Sequence, residues 1–207
     1  DTHAAREELC RTYWRPVATF LRALGMSDED AQDGAQEVLA QMFARDAALT
    51  LDRERGRMRH YLKAAARHYS FNHHRNSTTQ SRGSGVTTAS LDEISEQQHH
   101  AQQATSDSPF DHAWAVTLCD RAMRELEASY TRRRKGDLFA ALKPTLLLSD
   151  EVQPYARIGA LFGVTEAQIR IEVHRLRRRL AGQLRTEVAA TLGPQATVAE
   201  IEDETRY

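Results

Sequence analysis

The stretch Pro154–Leu180, PYARIGALFGVTEAQIRIEVHRLRRRL, constrains the fold more than any other part of the chain. It reads as two helices joined by a short turn. Pro154 suits the first helical position, where a missing N–H costs nothing. Tyr155, Ile158, Leu161 and Phe162 give the first helix an apolar face, and Gly159 leaves a smooth spot where a second helix can approach. Gly163 follows the last apolar pair and can take the left-handed conformation that stops a helix. Thr165 is then a good N-cap, and Gln168 completes a capping box. At roughly 100° per residue, Ile169, Val173, Leu176 and Leu180 fall on one narrow stripe. Ala167, Ile171, His174, Arg175 and Arg178 point away from it, with Gln168 and Arg170 on the flanks. Glu172 lies beside the stripe, which suits a structural partner such as Arg175 or Arg179 better than an outward role. A tight apolar stripe backed by an Arg-rich outer face, following a short turn, is the pattern of a helix-turn-helix with its second helix facing a DNA groove.

Strand signals are weak elsewhere, so the predicted fold is all-α, with two small helical domains joined by a flexible linker. Leu9, Tyr13, Val17, Phe20, Leu21 and Leu24 recur at helical spacing and predict a first helix ending near Gly25. Pro16 inside it predicts a kink or a late start. Ser27 with Asp30 opens a second helix by the capping-box pattern. Ala31, Ala35, Val38, Leu39, Met42 and Phe43 form its buried face, with Gln32, Asp33, Gln36, Glu37 and Gln41 opposite. After the charged loop Asp46–Gly56 comes RGRMRHYLKAAARHYSFNHHRN. Met58, Tyr61, Leu62, Ala65, Tyr69 and His73 form its inner face, while Arg57, Arg59, Lys63, Arg67, His68, Phe71, Asn72, His74 and Arg75 decorate the rest. Basic residues interleaved with aromatics suit single-stranded nucleic acid, since rings stack on bases while charges follow the backbone.

Residues 77–108 change character: Ser, Thr, Gln and Gly dominate and large apolar residues nearly vanish, which predicts a flexible linker of about thirty residues. The predicted boundaries are a domain at 1–76, the linker at 77–108, a second domain at 109–181 and an extension at 182–207. Order resumes at Pro109, with a helix through Phe110, Trp114, Leu118, Met123 and Leu126 to about Ser129, then another over Leu138–Leu148. The second helix of the helix-turn-helix is expected to run on to Leu192, before Gly193 and Pro194. Thr197–Tyr207 reads as a short acidic terminal helix.

The formal net charge is only −1 over 207 residues, but it is unevenly spread. Arginines cluster at Arg132–Lys135 and Arg175–Arg179, acids at 27–37, 92–96 and 200–204, as in a protein that meets a polyanion on one face and another protein elsewhere. Cys10 and Cys119 sit in apolar helical patterns and read as small buried hydrophobes in a reducing compartment. No run approaches the ~18 apolar residues of a membrane span and no signal peptide is visible, so a soluble, cytoplasmic chain is expected. Nine histidines raise the question of a metal enzyme. However, His73-His74 and His99-His100 are adjacent pairs that diverge on a helix, and no H-E-x-x-H, C-x-x-C or Gly-rich phosphate loop accompanies them. No catalytic residue, metal or cofactor is expected.

The order of these parts resembles the extracytoplasmic-function branch of the sigma-70 family, the two-domain promoter-specificity subunits of bacterial RNA polymerase. YWRPVATFLRALGMSDEDAQDGAQEVLAQMF is similar to the start of that family's region 2, with DAQDGAQEVLAQMF in place of its acidic D-x-x-Q-E helix. MRHYLKAAARHYSFNHHRN is similar to regions 2.3 and 2.4, with Tyr61-Leu62 and Arg67-His68 where the family has an aromatic-Leu pair and Arg-Asn. The helix-turn-helix is similar to region 4.2. FDHAWAVTLCDRAM and LRTEVAATL resemble a subgroup with a longer C-terminal tail.

The resemblance implies a sigma factor that is not an enzyme. Asp33, Gln36 and Glu37 would dock on the clamp helices of the largest subunit of core RNA polymerase, and the second domain would meet the flap of the second-largest. Asp46–Gly56 would capture a flipped base of the −10 element, while Arg59, Arg67, His68, Phe71, Asn72 and Arg75 grip the melting strand. Thr165, Gln168, Arg170, Ile171, His174, Arg175 and Arg178 would face the major groove of the −35 element. The linker, with Asp92, Glu93 and Glu96, would thread toward the RNA exit channel. An anti-sigma partner is common in the family, and the tail 182–207 is a candidate for built-in control. Ile171 and Glu172 depart from the family pattern and leave the −35 sequence open, although Ile171 could touch a thymine methyl. In such a helix Gln168 and Arg175 are expected at base edges and Arg178 at phosphates. The alternative from another class is a stand-alone helix-turn-helix repressor whose N-terminal helices dimerise or sense a ligand.

Overall fold

The computed structural model describes residues 2–44, 58–80, 106–146, 154–192 and 196–206. Among them every regular element is helical: α1 Thr2–Ala23, α2 Asp28–Ala44, α3 Met58–Gln80, α4 Ser108–Arg132, α5 Gly136–Leu142, a 3-10 turn Lys143–Leu146, α6 Tyr155–Phe162, α7 Glu166–Leu192 and α8 Val198–Arg206. The all-α expectation is met. The Asp46–Gly56 loop and the linker acids Asp92, Glu93 and Glu96 lie outside the described residues, as does the predicted stop at Gly193-Pro194. The chain divides into two compact units, Asp1–Thr117 and Leu118–Tyr207. The division therefore falls inside α4, past the compositional boundary at 108, and the segment predicted as linker is already helical over its first residues, up to Gln80.

In the first unit α1, α2 and α3 pack on one another. Tyr13, Val17, Phe20 and Leu21 of α1 are buried against Ala31, Ala35, Val38, Leu39 and Met42 of α2 and Leu62, Ala65 and Ala66 of α3. Each large apolar side chain so buried stabilises the unit by about 1.5–3 kcal/mol. The helix α1 runs through Pro16 without interruption. Asp30 N–H donates to Ser27 Oγ at 3.1 Å, starting α2 where the capping pattern predicts. The first part of α4 completes this unit, with Phe110 and Trp114 buried and the Phe110 ring edge-on to Phe20 at 6.0 Å. Cys119 is exposed and Cys10 half-buried, so neither is the fully buried hydrophobe expected. Spacing placed both in apolar patterns, but the packed stripes run through Tyr13–Val17 and Leu118–Ala122 instead.

The second unit is built around α7. Ile169, Val173 and Leu176 pack with Leu126 and Tyr130 of α4, Phe139 and Leu142 of α5 and Ile158 of α6, and Leu180 lies against the same cluster. The turn before α7 has the predicted chemistry. Gly163 adopts φ +65° and its N–H bonds the Gly159 carbonyl, ending α6. Gln168 N–H donates to Thr165 Oγ1 at 3.2 Å while Thr165 N–H donates to Gln168 Oε1 at 2.8 Å, the reciprocal bonds of a capping box. The predicted apolar face of α6 is only half right. Leu161 is 69% exposed and Phe162 sits at the surface next to the turn at Gly163, while Ile158 and Gly159 are buried and Tyr155 packs partly buried against the core.

Gly159 is the closest approach in this turn: a Cβ there would lie 2.6 Å from the Val164 carbonyl oxygen and 3.3 Å from Thr165 C. Both are backbone atoms and cannot swing aside. Gly159→Ala is expected to cost about 1–3 kcal/mol as an overpacking change, although Ala is the better helix former. Chemical denaturation would read it; a neutral or stabilising result would mean that the turn yields freely. At the far end α8 packs on α7. It starts with a second reciprocal cap, Thr197 N–H to Glu200 Oε2 at 2.7 Å, and buries Glu204. Arg121 of α4 donates to Glu187 of α7 at 2.8 Å, tying the extension into the unit.

Candidate nucleic-acid interface

The outer face of α7 follows from the buried stripe beneath it. With Ile169, Val173 and Leu176 turned inward, Thr165, Gln168, Arg170, Ile171, His174, Arg175 and Arg178 are all exposed. They form one continuous strip of donors, two ring nitrogens and an apolar side chain, Ile171. Arg170 is held by Glu166 one turn earlier at 2.7 Å, an exposed pair worth only a few tenths of a kcal/mol.

The four arginines in HRLRRRL are not equivalent. Arg177 Nη2 donates 3.0 Å to the carbonyl of Thr145 and so satisfies the end of the 3-10 turn. Arg179 Nη1 donates 2.9 Å to the hydroxyl of Tyr130, whose ring it also covers at 5.6 Å. Only Arg175 and Arg178 are left on the outward strip. Glu172 sits between the two sets at 17% side-chain exposure, 3.7 Å from Arg175 Nη1 and 3.7 Å from Arg179 Nη1, and accepts a hydrogen bond from Tyr130 at 2.8 Å. Its predicted structural role is what the geometry gives.

In the first unit Asp33, Gln36 and Glu37 are exposed on the outer side of α2, where Glu37 Oε1 accepts from Gln41 at 2.8 Å. Burial raises the pKa of the Tyr69 phenol on α3, and the negative field of Glu37, Asp33 and Asp30 raises it further. Those carboxylates therefore act together on one side of the unit.

The basic row on α3 is placed differently from its sequence expectation. Arg59, Lys63 and Arg67 recur every fourth residue and line one stripe. That stripe is covered by the start of α4 and the residue just before it, Asp107, which shares a face with Phe110, Asp111 and Trp114. Arg59 Nη1 meets Asp111 Oδ1 at 2.8 Å, Lys63 Nζ meets Asp111 at 3.2 Å and Asp107 at 2.9 Å, and Arg67 pairs with Asp107. The cations also lie over rings: Arg59 over Trp114 at 4.6 Å, Lys63 over Phe110 at 5.9 Å and Arg67 over Phe20 at 5.1 Å. Arg59 and Lys63 are 2% and 3% exposed. Burial pushes the Asp107 carboxyl up, but the hydrogen bonds and charge of Lys63 and Arg67 outweigh it and hold the group below the usual carboxylate range.

Arg59 therefore points into the unit, contrary to the predicted strand-facing role, and Arg67 is engaged by Asp107. The wheel marks both as polar positions; a second helix with matching acids is what encloses them. His68, Phe71, Asn72 and Arg75 remain at or near the surface, with Phe71 48% exposed, Arg75 exposed and Asn72 Nδ2 within 3.2 Å of a His68 ring nitrogen. Lys63, Asp107 and Asp111 in the first unit, and separately Tyr130 in the second, are the partnered polar residues that the sequence did not single out. The one available signal was the shared fourth-residue spacing of Arg59, Lys63 and Arg67 and of Asp107 and Asp111.

The fold and site define an all-α protein of two units, one with a helix–turn–helix whose second helix exposes a basic strip, the other with an acidic face and a surface aromatic–basic patch. Compared with protein-family models, with curated proteins and with solved structures, the chain matches none. Among the described residues no helix is long and apolar enough to cross a membrane, and no group of three or more His, Cys, Asp and Glu side chains could hold a metal ion.

Proposed function

We propose that the chain is a sigma factor of the extracytoplasmic-function type, which binds core RNA polymerase and directs it to promoters. The observation that carries this reading is the exposed strip Thr165–Arg178 over the buried Ile169/Val173/Leu176 stripe, behind a turn closed by Gly163 and the Thr165–Gln168 box. A helix so presented can enter a major groove, with Gln168 and Arg175 reaching base edges and Ile171 meeting a thymine methyl. Arg178, a turn later, meets phosphate.

The first unit supplies the other two tasks. Asp33, Gln36 and Glu37 offer carboxylates and an amide to the basic clamp helices, where complementary charge sets register and on-rate. On α3, Phe71 offers a ring on which an unstacked base can rest, while His68, Asn72 and Arg75 offer donors to the same strand. Unstacking costs a few kcal/mol and stacking returns a comparable amount, so melting a −10 element needs neither ATP nor a catalytic residue. The working set on α3 is thus smaller than the sequence suggests, because Arg59 and Arg67 are committed to α4. A polymerase partner places the protein in the cytoplasm, and an anti-sigma protein is a natural regulator.

Co-purification tests this reading. The tagged full-length chain is expected to retain core polymerase through gel filtration at equal stoichiometry. Elution of the two as separate species at micromolar concentration would reject it.

A further inference from the structure

Glu172 occupies an unusual place for an acid. It lies on the recognition helix, close to its buried side, and its two oxygens have different neighbours. Oε1 accepts the Tyr130 hydroxyl at 2.8 Å and faces Arg179 Nη1 at 3.7 Å. Oε2 faces Arg175 Nη1 at 3.7 Å. Tyr130 itself is fixed: it is 1% exposed, its ring is tilted on Phe139 at 5.4 Å, and its hydroxyl accepts from Arg179 at 2.9 Å while donating to Glu172. The carboxylate is therefore anchored through α4 at one oxygen, and the other is turned toward an arginine that is 63% exposed.

We propose that Glu172 is a positioning residue for base readout: anchored by Tyr130, it tethers one edge of the Arg175 guanidinium and leaves the other edge directed at a guanine in the groove. This rests on the helix-turn-helix reading above and deepens it. A guanidinium carries five N–H donors in a flat fork, so a carboxylate near one nitrogen still leaves a pair free for the O6 and N7 acceptors of guanine. An untethered arginine on an exposed helix samples many rotamers, and restricting it beforehand removes part of the ordering cost of the contact. The geometry also explains an acid on a face that otherwise attracts phosphate. Its negative charge lowers general affinity for phosphate, a cost that gained selectivity would offset.

Burial pushes the Tyr130 phenol's pKa up, and its bond to Glu172 pushes in the same direction, so the hydroxyl keeps its proton and remains a donor. The anchor thus comes from a buried residue of α4, while the readout group stays on the surface of α7.

The test uses the full chain and a 20-base-pair duplex library randomised at eight positions, selected by binding and sequenced. Glu172→Gln is the chosen variant, since its amide oxygen can still accept from Tyr130 while the charge is lost. Expected is a fall of about tenfold in preference for one guanine, a bidentate contact being worth roughly 5- to 150-fold. Affinity for non-specific duplex should be unchanged or tighter. Arg175→Ala should lose the same preference, and the double variant should match Arg175→Ala alone. Tyr130→Phe should move selectivity in the same direction by a smaller factor. Wild-type selectivity in Glu172→Gln, or uniform weakening with a lowered melting temperature, would overturn the proposal and leave Glu172 a packing residue. If the wild-type chain selects no base and Arg175→Ala changes nothing, the groove reading itself fails, and the proposal with it.

Discussion

Asp111→Ala is expected to destabilise the first unit by about 3–5 kcal/mol, the usual cost of removing one member of a buried ion pair. Asp111 pairs with both Arg59 and Lys63, at 2.8 and 3.2 Å, and these cations are 2% and 3% exposed. Without it, two buried cations lose a shared counter-charge, while Asp107 still faces Lys63 at 2.9 Å. Such a loss is a large share of the roughly 5–15 kcal/mol that holds a domain together. Asp111→Asn should cost less, because the amide oxygen still accepts from Arg59. Urea titration followed by circular dichroism reads both. A loss under about 1 kcal/mol, the value of a solvated pair, would show that α4 does not seal this stripe.

The second large effect is on assembly. Asp33→Lys with Glu37→Lys is expected to remove binding to core polymerase while leaving helical content unchanged. Both side chains are exposed and take no part in packing α2 on α1 and α3. Placing two cations opposite a basic helix costs several kcal/mol, and each 1.4 kcal/mol is about tenfold in affinity. Retention would therefore drop by two orders of magnitude or more in a pull-down. Undiminished retention would remove the α2 face from the interface.

The elements that sequence revealed well are those written in local chemistry. The boxes at Ser27–Asp30 and Thr165–Gln168, the left-handed Gly163 and the Ile169/Val173/Leu176 stripe all depend on neighbours within a turn or two. Glu172 could be matched to Arg175 and Arg179 for the same reason. Its anchor could not, because Tyr130 lies 42 residues away. Arg59 and Lys63 read as surface cations because periodicity reports which face is polar and not what covers it. The cover, Asp107–Trp114, lies beyond a polar stretch with no periodicity to link it back to α3. That same contact draws Ser108–Thr117 into the first unit, so the composition change near 108 does not coincide with the division of the fold. Leu161 and Phe162 misled in the opposite direction: they carry helical spacing, but they stand at the end of α6 just before the turn at Gly163 and remain at the surface.

Run-off transcription tests the central claim most directly. Purified core polymerase, which initiates poorly and without specificity, is mixed with the full-length chain and a pool of double-stranded templates randomised over the −35 and −10 spacing. The account predicts discrete transcripts with a shared upstream sequence, appearing only when the chain is present. They should be lost with Asp33→Lys/Glu37→Lys and re-sorted at one −35 position with Arg175→Ala. Transcription that stays non-specific, on a chain that nevertheless binds duplex DNA tightly as a symmetric dimer, would contradict it and identify a repressor instead.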